Sequence, residues 1–149
     1  MLYSILAFIS GAALTIQVGI NGKLLGQMGS PLLTALISFL AGTAGLVVAY
    51  LFAVANGMQT MPAMSAFQQT PLWMWLGGLL GAFYIFSAIF CVPQIGFANM
   101  FSLVVAGQII LALLFDHFGV LAAGAHEISL LRLLGVGLLI LGVYLIQTQ

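Results

Sequence analysis

The side chains able to do chemistry are few and mostly uncharged. The amides Gln17, Asn21, Asn99 and Gln108, the phenol Tyr84 and the hydroxyls Ser10 and Ser102 lie within long apolar runs, while Lys23, Asp116, Glu127 and Arg132 lie at or between the ends of those runs. No nucleophile, base and orienting group can be assembled from this set, so an enzyme is the least favoured reading. What the set can do is recognise a solute by hydrogen bonds. Two metal readings are weak: Met58, Met61 and Met64 recur every third residue, a thioether spacing open to Cu(I), but Pro62 and Phe67 among them suit an apolar interfacial loop or short helix better. Asp116, His117, His126 and Glu127 match no familiar ligand spacing. Neither a metal nor a cofactor is expected. Cys91, the one cysteine, forms no intrachain disulfide and reads as a small packing residue.

Charged residues make up 3% of the chain, against about 25% in soluble domains. The bilayer is therefore the expected solvent. Five runs are long and apolar enough to cross it, at 2–22, 31–56, 72–91, 95–115 and 130–146, and they leave no room for a soluble domain. Each is too long for a barrel strand, and backbone groups in lipid must be satisfied internally, so an all-α integral membrane protein in a single membrane domain (1–149) is expected. No Lys or Arg precedes Lys23, so the first run lacks the basic start of a cleaved signal and is expected to be retained.

Five crossings place the two ends of the chain on opposite faces. Lys23 then lies on one face and Arg132 on the other, and a score of one cation against one gives the orientation rule almost nothing to read. Insertion in both orientations follows as an expectation. Transporters are commonly built from two inverted repeats with a site between them near the midplane, and a dual-topology chain would supply both as an antiparallel homodimer. In such a pair Lys23 of one subunit shares a face with Asp116 and Arg132 of the other.

The runs 11–46 (GAALTIQVGINGKLLGQMGSPLLTALISFLAGTAGL), 75–108 (WLGGLLGAFYIFSAIFCVPQIGFANMFSLVVAGQ), 116–119 (DHFG) and 132–137 (RLLGVG) together give a specific resemblance. In them the chain resembles the short, five-helix, YdcZ-like branch of the drug/metabolite transporter superfamily. The resemblance covers nearly the whole chain. It implies a half-size unit of a ten-helix inverted-repeat transporter, multi-pass in the bacterial inner membrane, without naming a substrate. The smallest multidrug members of the superfamily carry a membrane-embedded Glu in the first helix; here that helix has Gln17 and no acid.

At about 100° per residue, Ser10, Gln17 and Asn21 form one polar stripe on the first span, either a substrate-facing wall or interhelical glue. Thr34, Ser38, Ala41, Gly42, Gly45 and Ala49 form a small-residue face on the second, where packing is favoured. Tyr84 stands in a stripe of Gly77, Gly81 and Ala88 on the third, filling a neighbour's groove or a cavity. Trp73 and Trp75 suit an interfacial belt. The turn 92–96 is tight enough to make the third and fourth spans an antiparallel hairpin. Asn99 and Ser102 share a face of the fourth, opposite Gln108, and only a break such as one at Gly107 would bring both faces to one cavity. Arg132, Gly135, Leu139, Gly142 and Ile146 make a packing ridge on the fifth.

No span contains an Asp, Glu, Lys or His, so proton coupling through a buried carboxylate has no candidate. Asp116 ends the fourth span against the helix dipole and calls for a cation, either Arg132 or a partner's Lys23. The leading expectation is a secondary transporter of a small organic metabolite or drug-like solute, neutral, zwitterionic or weakly cationic. Gln17, Asn21, Tyr84 and Asn99 are its candidate contacts, with Ser10, Ser102, Gln108, Asp116, Arg132 and Lys23 in supporting or structural places. The alternative is a scaffold or accessory subunit that binds another membrane protein through its small-residue faces.

Overall fold

A computed structural model describes residues 1–121 and 129–148, all of them in helix, turn or coil. His126 and Glu127, weighed above as metal ligands, lie outside the described residues. Four helical stretches are long and apolar enough to cross a membrane: Leu2–Met28, Pro31–Ala55, Leu72–Phe118 and Leu130–Gln147. The chain divides into two compact units, Met1–Pro93 and Gln94–Gln149.

In the first unit, α1 runs over Leu2–Met28 and α2 over Pro31–Ala55. The first helix was expected to stop at Gly22, but nothing in GKLLGQM breaks it. It ends where Gly29 adopts the left-handed conformation (φ 67°) and its N–H donates to the Leu25 carbonyl at 2.8 Å. A glycine makes this cap because the conformation costs it no Cβ clash. Ser30 then caps α2, its Oγ accepting from Leu33 N, and Pro31 takes the first helical position, where its missing N–H is no loss. Lys23 consequently sits in the last turns of α1 rather than in a loop. At 1.5 Å per residue the 27 residues of α1 span about 40 Å, beyond the ~30 Å hydrocarbon thickness, so Lys23 reaches the interfacial layer from within the helix.

Asn56 closes α2, its Nδ2 donating to the Phe52 carbonyl. The stretch after it holds a short helix α3, Met64–Gln69, and Tyr50 Oη donates to the Thr60 carbonyl at 3.2 Å, tying this connection to α2. The methionines at 58, 61 and 64 are exposed, as an interfacial segment requires. Trp73 and Trp75 lie exposed in a 3-10 turn, Leu72–Trp75, ahead of α4.

The helix α4, Leu76–Phe118, is 43 residues long, about twice what one crossing needs. Its dihedrals leave the helical region at one residue, Gly96 (φ 80°, ψ 165°), a region open in practice to glycine alone. The arms 76–95 and 97–118 are each about 30 Å long, one crossing apiece. Pro93 precedes the break by less than a turn, so the ladder is weakened where it is interrupted. The break falls at the last residue of the tight turn expected at 92–96, with the residues before it still helical, and not at Gly107, where a break could have brought both faces of the fourth span to one cavity. Gly107 keeps helical dihedrals inside the second arm, so Asn99 and Gln108 stay on opposite sides of one unbroken helix.

The first unit's core is small: Ala35, Ile85 and Ile89, with Leu25, Phe39, Tyr84 and Phe86 packed against them. Phe39 lies against Gly81, where a Cβ would stand 3.6 Å from its Cζ, an ordinary van der Waals contact. In the second unit α5 covers Leu130–Gln147, opened by Ser129, whose Oγ accepts from Arg132 N.

Candidate functional site

The polar stripe of α1 meets the small-residue face of α2. Asn21 Nδ2 donates to Ser38 Oγ at 3.1 Å and Gln17 Nε2 donates to the same oxygen at 3.3 Å. One turn of helix separates the two amides, which is why a single hydroxyl opposite them serves both. A serine oxygen has two lone pairs, and this one spends both on the facing helix. Asn21 is 3% exposed and Val18 beside it 1%, so this is the tightest part of the α1–α2 contact. Thr34, fully buried one turn before Ser38, returns its own hydroxyl to the Ser30 carbonyl and makes no cross-helix bond.

Gln17, Asn21 and Ser38 also line a groove of about 440 Å³ whose other walls are apolar, among them Ile16, Ile20, Leu24 and Ile37. Gln17 lies near the middle of α1, at the depth where a midplane site would be found. No formal charge lines the groove. It can therefore recognise a solute by hydrogen bonding and shape, not by ion pairing.

The remaining candidates are elsewhere. Ser10 leaves the stripe: it is exposed, and its Oγ donates to the Leu6 carbonyl in its own helix at 2.8 Å. Tyr84 does not line the groove. It packs half-buried on the Ala35, Ile85 and Ile89 cluster, and the gap beside Gly81 is taken by Phe39, not by the phenol. A second groove between α2 and the first arm of α4, about 420 Å³ and lined by Phe39, Phe83 and Phe86 with Leu32, Leu36 and alanines, offers no polar side chain.

Asn99 and Ser102 belong to the second unit. Ser102 Oγ donates to the Asn99 backbone carbonyl at 3.0 Å, so their proximity is a local helix bond rather than a paired side-chain strip. Ser102 lines an apolar groove toward Leu139, Gly142 and Ile146 of α5. Gln108 is exposed. Asp116 and Arg132 form an ion pair, Nη1 to Oδ2 at 3.3 Å, with 41% and 44% of their side chains exposed. Each charge stands at the unfavourable end of its own helix dipole, and the pair offsets both. They sit at the mouth of a groove walled by Ile109, Ala112 and Gly135. The expected packing ridge of α5 thus supplies Gly135, Leu139 and Gly142 to grooves facing the second arm of α4.

The residue that reasoning from sequence left out is Ser38. Its place on the small-residue face was visible, but a hydroxyl there reads as a spacer until the facing amides are in position.

The sequence matches the model of the family described as "Putative inner membrane exporter, YdcZ" over residues 2–145, nearly the whole chain. The chain belongs to the YdcZ family. The family places this YdcZ protein in the inner membrane among transport proteins, in keeping with the four apolar helices. No curated protein and no solved structure is significantly similar to it. Membership of an exporter family points away from an enzyme.

Proposed function

We propose that this YdcZ protein is a secondary transporter of a small organic metabolite or drug-like solute, working as an antiparallel homodimer by alternating access. The observation that carries the reading is the convergence of Gln17, Asn21 and Ser38 on one uncharged groove at membrane depth. Amides in hydrocarbon need protein or a wet cavity, and here they have both a protein partner and an open face. If each arm of α4, divided at Gly96, makes one crossing, the crossings are five, an odd number, and Lys23 and Arg132 would fall on opposite membrane faces. That balance supports insertion in both orientations, and with it the ten-helix inverted-repeat arrangement of the drug/metabolite transporter superfamily. Further support comes from α5, which has no fully buried residue in its most apolar window, so the face turned away from the second arm of α4 is left for lipid or a second copy.

Alternating access needs the groove to be sealed first on one side and then on the other, and an inverted pair provides two equivalent seals from one sequence. Among the described residues the one carboxylate in the helices is Asp116, near the end of α4 and already paired with Arg132, so movement of a neutral or weakly cationic solute would be driven by its own gradient or by an ion held through carbonyl groups.

Flux of a solute panel into proteoliposomes tests the transporter reading. Gln17→Ala is expected to lower flux about tenfold, the worth of one hydrogen bond of ~1.4 kcal/mol, while dimer content stays the same. A folded protein that moves no member of the panel would instead support the scaffold. C-terminal reporter fusions test the topology: signal from both membrane faces is expected, and a single orientation without an oppositely oriented paralogue would sink the homodimer.

A further inference from the structure

The Ser38 hydroxyl does more than join two helices, because of which atoms it engages. Both bonds use amide nitrogens, Gln17 Nε2 and Asn21 Nδ2. Neither amide oxygen accepts a hydrogen bond among the described residues, and among those residues no buried side-chain N or O lacks a partner. The two oxygens therefore have open surface, and the surface that both residues share is the groove. An acceptor pair set in walls of Ile16, Ile20 and Ile37 has a definite chemical preference. It satisfies a donor and leaves an acceptor-only solute with its own oxygen facing two carbonyls.

We propose that Ser38 is a specificity-determining positioning residue: by holding both amide nitrogens it turns the Gln17 and Asn21 carbonyls to the groove, which then selects solutes bearing an N–H donor on an apolar body. The inference rests on the groove being the solute site and adds the substrate class to that reading. Charge is secondary. A protonated amine and a primary amide both meet the requirement, whereas a quaternary ammonium, a cation without an N–H, does not. Because the carbonyls replace hydration without a countercharge, the preference is read as a difference between matched solutes rather than as affinity for cations.

Binding is measured by calorimetry on the purified protein in nanodiscs, with protein-free nanodiscs subtracted. The probes are cyclohexylammonium, N,N-dimethylcyclohexylammonium and N,N,N-trimethylcyclohexylammonium, and the neutral pair cyclohexanecarboxamide and its N,N-dimethyl derivative. The members with an N–H, the dimethylammonium included, are expected to bind at least about tenfold more tightly than their counterparts without one. Ser38→Ala releases both amides and lets the half-buried Gln17 amide rotate, and is expected to bring the ratio below about threefold, while Ser38→Thr, which keeps an acceptor oxygen, retains it. Equal binding within each set, no binding by any probe, or an unchanged ratio in Ser38→Ala overturns the proposal. The wild-type ratios decide even where a variant does not fold. Flux is read separately in proteoliposomes: donor preference without flux leaves the binding chemistry standing and removes the transporter reading, and flux without donor preference does the reverse.

Discussion

Replacing Ser38 by Ala removes one oxygen and two cross-helix hydrogen bonds, at 3.1 and 3.3 Å. Bonds between membrane helices average about 0.6 kcal/mol each and reach about 1.7, so the pair accounts for about 1.2 kcal/mol. The consequences for the two donors differ. Gln17 is half-buried and its freed N–H can turn to the groove, but Asn21 is 3% exposed and its N–H has nowhere to go, a penalty of about 1 kcal/mol or more. Ser38→Ala should therefore cost about 2 kcal/mol, read by denaturant titration in mixed micelles or by steric trapping in bicelles. A double-mutant cycle with Asn21→Leu isolates the stronger bond and should return a coupling of about 0.6–1.7 kcal/mol. Ser10→Ala is the control, since its hydroxyl returns to its own helix and is exposed; it should change stability by less than about 0.5 kcal/mol. A Ser38→Ala loss no larger than that of Ser10→Ala, or a coupling indistinguishable from zero, would refute the bridging role of Ser38.

The two glycines of α4 make opposite predictions. Gly96→Ala forces a side chain into φ 80°, ψ 165° and should cost about 2–3 kcal/mol, although a Cβ there would touch nothing within 4 Å, whereas Gly107→Ala, helical and equally uncrowded, should be neutral or stabilising by up to about 1 kcal/mol in the same titration. The Asp116–Arg132 pair is exposed enough that Arg132→Ala should cost under about 1 kcal/mol, an effect fading at high salt and restored by the exchange Asp116→Arg with Arg132→Asp.

What could be read from the chain alone, and what could not, follows the range of the forces involved. Composition and run length determined the solvent and the helical class, because lipid leaves backbone groups no partner outside the segment and about 20 apolar residues are needed for each crossing. The polar stripe of Gln17 and Asn21 was legible from helical spacing, as was the cation that Asp116 required. Local chemistry that extends over a few residues was legible only in part: α1 runs on to Met28 because its stop is the αL cap at Gly29, and small residues earlier in the run end nothing by themselves.

Contacts between helices were a different matter. Spacing puts Gln17 and Asn21 on a face but is silent on which atom of another helix lies opposite, and that atom, Ser38 Oγ, decides which end of each amide is left for a solute. Spacing likewise paired Tyr84 with the gap at Gly81, which Phe39 of α2 occupies. The turn at 92–96 was legible in the sequence, but whether Gly107 also broke the helix was not, since a glycine permits either conformation and the surrounding chain selects one. Hydrophobicity and period are properties each residue carries with it, so the sequence determined a helical membrane protein with an amide stripe. Hydrogen-bond orientation depends on two residues 17 or 21 positions apart, so only the tertiary structure could decide that the groove presents carbonyls.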